Sequence, residues 1–228
     1  MTAMIGGIAE LIPHALAIAI SPMPVLGVIL MLLSSRGKGS SIGFSVGWVT
    51  GVAFITAGAS ALSSLVILPS LSAAESHPLL AAVPIVLGAG FVALGIVQLV
   101  RGSRVAPDAE LPGWLSRVDR LSPARASLVG FAYAAFRPKN FVISVAAGLV
   151  IGQRGHDLAE VTIMVVVFSV VASLTIVAPV VIFAFGGDRV KGAVRSARGW
   201  LLRHIRTIGS VAILFVGAAL IVIGLVKL

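Results

Sequence analysis

Arg137 and Lys139 stand within three residues of each other inside an otherwise apolar stretch. A charge near the centre of a membrane helix costs about 2.5–3.5 kcal/mol, so two so close together require water, a partner or a ligand to compensate them. No carboxylate occupies the middle of any apolar stretch to do so. An anionic substrate carrying a phosphate or carboxylate is therefore their natural partner, with Asn140 beside them offering a neutral hydrogen bond. The alternative is that both cations snorkel to the head groups from a helix that begins only near Phe141. Prolines mark the same place. Arg137-Pro138-Lys139-Asn140 interrupts this stretch, and 116 positions before Pro138 the run Ser21-Pro22-Met23-Pro24 interrupts the first one. Proline lacks an amide donor and frees backbone groups that a substrate or ion can use, so Pro22, Pro24 and Pro138, with Ser21, complete a candidate substrate-binding set. Glu10 and His14, four residues apart and hence on one helical face, are candidates for proton coupling, the plainer reading being that both lie in the outer interface. The sequence shows no metal-spaced His cluster, no phosphate-cradling Gly loop and no Ser joined to a base and an acid, so no enzyme activity, metal or cofactor is expected.

The elements that must position these residues are membrane helices. Of the 228 residues 58% are hydrophobic and 11% charged, and the mean hydropathy is positive, which leaves too little polar surface to coat a soluble globule. Six segments reach the roughly 20 residues a helix needs to cross a bilayer: about 5–33, 41–68, 79–100, 126–151, 159–185 and 208–226. Period-two alternation is absent, which argues against a barrel. Thirteen of the 17 Lys and Arg residues lie in the first, third and fifth connections: Arg36 and Lys38; Arg101, Arg104, Arg117, Arg120 and Arg125; and Arg189, Lys191, Arg195, Arg198, Arg203 and Arg206. Only Arg154 and Lys227 lie on the other side. The positive-inside rule then puts the three basic loops in the cytoplasm and both termini outside a plasma (inner) membrane. No Lys or Arg precedes the first apolar run, which is too long for a cleaved signal peptide and should stay as the first helix. The net charge of +9 suits anionic inner-leaflet lipids rather than nucleic acid, for which no aromatic-rich basic groove exists. With no Cys there are no disulfides and no thiol chemistry.

The paired interruptions suggest one transmembrane domain over 1–228, built as two inverted three-helix repeats (about 5–100 and 126–226) joined by a cytoplasmic linker of about 101–125, with the first and fourth helices broken. Gly43, Gly47 and Gly51 recur every four residues and predict a close helix–helix seam, which Gly148 and Gly152 repeat more weakly. Val190, Val194, Ala197, Leu201 and Ile205 share one helical face ringed by the basic residues, with Trp200 at its edge. That pattern predicts an amphipathic helix on the inner leaflet, and 111–121 reads as a shorter one.

A proline pair within the first helix (Pro22, Pro24), a small-residue-rich second helix and a Pro138-Lys139 element opening the fourth resemble the lysine exporter superfamily of six-helix transporters. Ser21 to Leu32 and Arg137 to Gly148 are most similar to its GAP branch, associated with moving glycolipids such as glycopeptidolipids to the surface of actinobacterial envelopes. Amino-acid exporters of the superfamily usually carry Gly between the two prolines and Asn before Pro-Lys, where this chain has Met23 and Arg137. Relatives with a paired-cysteine relay are excluded by the lack of Cys. The resemblance implies an exporter or flippase that moves an anionic lipid-linked or glycolipid substrate outward. The alternatives are an exporter of amino acids or other small anions, and a non-transporting membrane scaffold for envelope synthesis. Substrate identity, energy source and homo-oligomer formation stay open.

Overall fold

A computed structural model of the chain describes residues 2–34, 37–65, 78–101, 121–153 and 157–226. Among them every regular element is helical, in the order α1 (Thr2–Ala19), α2 (Pro22–Leu32), α3 (Gly37–Leu65), α4 (Pro78–Arg101), α5 (Pro123–Phe136), α6 (Pro138–Gln153), α7 (Leu158–Gly186), a 3-10 turn (Gly187–Val190) and α8 (Lys191–Val226). Among the described residues two helices, Gly37–Ser63 of α3 and Leu158–Gly186, are each long and apolar enough to cross a bilayer, and up to five spans result if each bent helix pair counts as one. Two of the bends fall at the proline runs: 60° between Gly6–Ala19 and Pro22–Leu32, and 68° between Pro123–Phe136 and Pro138–Gln153. The third such pair lies within α8. The short helix expected over 111–121 falls outside the described residues except at Leu121, as do Arg36, Arg104, Arg117, Arg120, Arg154 and Lys227.

The chain forms two units, Met1–Val66 with Leu111–Leu202, and Ile67–Glu110 with Arg203–Leu228. In the first unit α3 is the central rail. A methyl group at Gly43 would strike the Pro123 carbonyl, one at Gly47 the Ser127 carbonyl, and one at Gly51 the Phe131 oxygen at 2.8 Å, while Gly130 of α5 closes on the Phe44 carbonyl in return. Farther along, Gly148 meets the Thr56 carbonyl and Gly152 the Ser60 oxygen at 2.5 Å. Partner numbers rise together, so α5 runs parallel to the first half of α3 and α6 to its second half. The glycine stripe is thus packing, as expected, and Gly148 and Gly152 approach as closely as the first three rather than more weakly. α7 packs against α1 and α3, and α2 against α3.

Local signals explain the helix starts. Ser122 caps α5, its Oγ accepting from the Arg125 amide (3.4 Å) ahead of Pro123 at the first helical position, and Asp157 caps α7 by accepting from the Glu160 amide at 2.8 Å. Inside this unit Phe44, Trp48, Phe168, Leu26 and Met31 are buried, whereas Leu128 is 68% and Phe185 90% exposed. Such outward apolar side chains suit lipid, not water.

The expected amphipathic helix forms the start of α8: Val194 and Leu201 are buried while Lys191, Arg195 and Arg198 are exposed. Ala197 departs from the expectation, since it is exposed along with its basic neighbours. In the second unit α4 and the end of α8 run antiparallel. A methyl at Gly88 would lie 2.6 Å from the Gly217 oxygen and one at Gly95 2.6 Å from Leu214 Cγ, and the Ser210 hydroxyl donates to Gln98 Oε1 at 3.5 Å.

Candidate functional site

The break between α1 and α2 follows from which residues lack amide hydrogens. In an unbroken helix the amides of Ser21, residue 22, Met23 and residue 24 would bond to the carbonyls of Ala17, Ile18, Ala19 and Ile20. Pro22 and Pro24 have no such donors, and the ring of Pro22 clashes with the preceding turn, so the helix ends and four carbonyls are left unmatched. Each finds another partner. The Lys139 ammonium donates to Ala17 O at 2.8 Å and reaches Ile20 O at 3.5 Å, the Ser21 hydroxyl donates to Ile18 O at 2.8 Å, and the Thr175 hydroxyl donates to Ala19 O at 2.7 Å. The Ser21 amide adds a second bond to Ala19 O at 2.8 Å. Lys139 also donates to Ser21 Oγ at 2.9 Å. Pro22 then opens α2 at its first position and Pro138 opens α6 in the same way.

The two breaks therefore touch, through Lys139 on one side and Ser21 with the end of α1 on the other. This changes the reading of the cations. Lys139 has partners within the chain: carbonyl dipoles at a helix C-terminus, where positive charge is favoured, take the place of the missing carboxylate. Arg137 is placed differently. Its side chain is exposed, its Nη1 donates to the Tyr133 hydroxyl, and its guanidinium carbon lies 4.5 Å from the centre of the Tyr133 ring. Tyr133 leads inward to Trp48 (centroids 6.1 Å apart) and Trp48 to Phe44 (6.2 Å). An arginine held over an aromatic ring with nitrogens to spare can still grip an anion in two prongs.

Asn140, the third residue of α6, is 1% exposed, and its Oδ1 has no hydrogen-bond partner; nor do Ser144 Oγ one turn on, Ser173 Oγ of α7, and Ser45 Oγ, Trp48 Nε1, Thr56 Oγ1 and Ser63 Oγ of α3. Buried polar atoms are nearly always satisfied, so this set asks for water or a ligand. Pro24 is buried, Pro22 half-buried and Pro138 exposed. Glu10 and His14 share a face of α1 as expected, but the ring contact is to the backbone: His14 Nδ1 lies 3.2 Å from the Glu10 carbonyl oxygen, which accepts from the tautomer protonated there.

Three participants were not among the sequence candidates. Thr175 is one hydroxyl in an apolar helix that also holds Ser169 and Ser173, with no local signal to single it out. Tyr133, the only Tyr in the chain, four residues before Arg137, carried a signal in its spacing. Trp48 had none beyond its size.

A family model described as Sap, sulfolipid-1-addressing protein, matches residues 11–226. This span includes both breaks and every residue that makes the contact between them, from Ala17 to Thr175. No match to the chain was found among the curated proteins or the solved structures.

Proposed function

We propose, because the chain belongs to the Sap family of sulfolipid-1-addressing proteins, that it is a plasma-membrane exporter or flippase delivering an anionic glycolipid of the sulfolipid type to the outer face. A sulfolipid head group is an oxyanion, and the exposed Arg137 guanidinium is the group placed to receive it. Lys139 and Ser21 hold the breaks together, and the unpartnered Asn140 Oδ1 and Ser144 hydroxyl provide polar contacts for sugar or water. In this reading the chain crosses the membrane six times as two inverted halves, with both termini outside, as in the lysine exporter superfamily. The basic face of α8 rests on anionic inner-leaflet lipid.

The observation that carries the proposal is the set of hydrogen bonds from Lys139 to Ser21 and the end of α1, since they join two broken helices, the arrangement in which transporters build central sites. The test is reconstitution in vesicles with a fluorescent sulfated glycolipid and an external quencher. Wild-type protein should make the inner-leaflet pool accessible to the quencher, and Arg137→Ala should not. Equal accessibility with and without protein would refute the transport reading.

A further inference from the structure

The end of α1 is an oxygen cage. Ala17 O, Ile20 O and Ser21 Oγ converge on one point, where they surround the Lys139 ammonium at 2.8, 3.5 and 2.9 Å. The neighbouring oxygens are already engaged, Ile18 O by the Ser21 hydroxyl and Ala19 O by Thr175. Among the described residues the other nearby cation, Arg137, is held by Tyr133, and the cage holds the single positive charge of Lys139. Unwound carbonyls at the C-terminal end of a half-helix, with a hydroxyl beside them, are the donor set with which membrane proteins hold small cations. Here the charge arrives on a side chain from another helix, 118 positions along the chain from Ser21.

We propose that the C-terminal end of α1 is a binding site for a small ammonium-type cation, that the chain fills it with its own Lys139, and that this tethered cation is the latch between the two helix breaks. The latch does not depend on what the protein carries. Cutting the tether leaves the cage empty, and a free primary ammonium ion is then able to occupy it.

The experiment uses full-length Lys139→Ala in lipid nanodiscs, with thermal unfolding followed as methylammonium chloride is added. Tetramethylammonium chloride at equal ionic strength, which has no N–H to donate, is the control. The variant should unfold roughly 5 °C below wild type and recover saturably with methylammonium but not with tetramethylammonium. Wild type, its cage filled, should respond to neither. Lys139→Gln, a neutral donor, carries the same titration where the alanine variant does not accumulate. The proposal is overturned if the two salts act alike, if wild type responds to methylammonium as the variant does, if the variants are as stable as wild type without any addition, or if neither can be recovered with methylammonium present throughout extraction.

Discussion

Replacing Gly47 and Gly58 by alanine, one at a time, sets the same chemical change at two places on one helix and should give opposite signs. At Gly58 nothing lies within 4 Å of the added carbon. The change there only exchanges a poor helix former for a good one, a gain of about 0.8–1 kcal/mol. At Gly47 the same gain is set against a collision: the methyl carbon lands on the Ser127 carbonyl oxygen and within 2.9 Å of the Phe131 amide nitrogen. Both obstacles are backbone atoms and cannot swing aside, so α5 must withdraw from α3. Overpacking of this kind typically costs about 1–3 kcal/mol even where side chains can adjust, and backbone contact belongs at or above the upper end. The net expectation for Gly47→Ala is a loss of about 2 kcal/mol, or roughly 4–8 °C in unfolding midpoint for a chain of this size. Thermal unfolding of both variants in the same nanodisc lipid measures the difference. A Gly47→Ala protein as stable as Gly58→Ala would refute the parallel packing of α5 on α3, and with it the placement of the break that follows α5.

Thr175→Val keeps the shape of the side chain and removes its bond to Ala19 O, which retains the Ser21 amide, so unfolding should shift by only about 1 kcal/mol. An unchanged midpoint would show that this hydroxyl caps nothing. Arg137→Lys preserves charge but loses the planar fork and the stacking on Tyr133, and should transport glycolipid in vesicles at a fraction of the wild-type rate with unchanged stability; full activity would mean that charge alone suffices. Reporter fusions should place both termini outside and the loops around Arg125 and Arg189 in the cytoplasm, and a terminus reachable only from the cytoplasm would overturn the inverted-halves topology.

What could be read from the letters was what prolines, glycines and charge determine locally. Pro22 and Pro138 announced both breaks because a missing amide is a property of the residue itself, and the four-residue spacing of Gly43, Gly47 and Gly51 announced a seam because close approach needs the absence of a side chain. Ser21, one partner of Lys139, was legible beside the prolines, but the backbone carbonyls of Ala17 and Ile20 that share the ammonium were not, since every residue has a carbonyl; only a broken helix end makes one available, and only tertiary packing decides which cation reaches it. Thr175 was hidden for the same reason. Arg137 and Lys139 are compensated not by carboxylates but by neutral partners, the dipoles of α1 and the ring of Tyr133, which carry no formal charge for composition to reveal.

The central claim, that this chain delivers an anionic glycolipid to the outer face through the joined breaks, is tested most directly in cells. Lipid extracted from the envelope surface should be compared with the total lipid of the same cells for wild type, a strain lacking the protein, and that strain carrying Arg137→Ala at matched protein level. The account predicts that the deletion and the Arg137→Ala strains retain the anionic glycolipid in the total extract and lose it from the surface. Normal surface glycolipid in the Arg137→Ala strain would contradict the site, and loss of the glycolipid from the total extract of the deletion strain would contradict transport and support a scaffold for its synthesis.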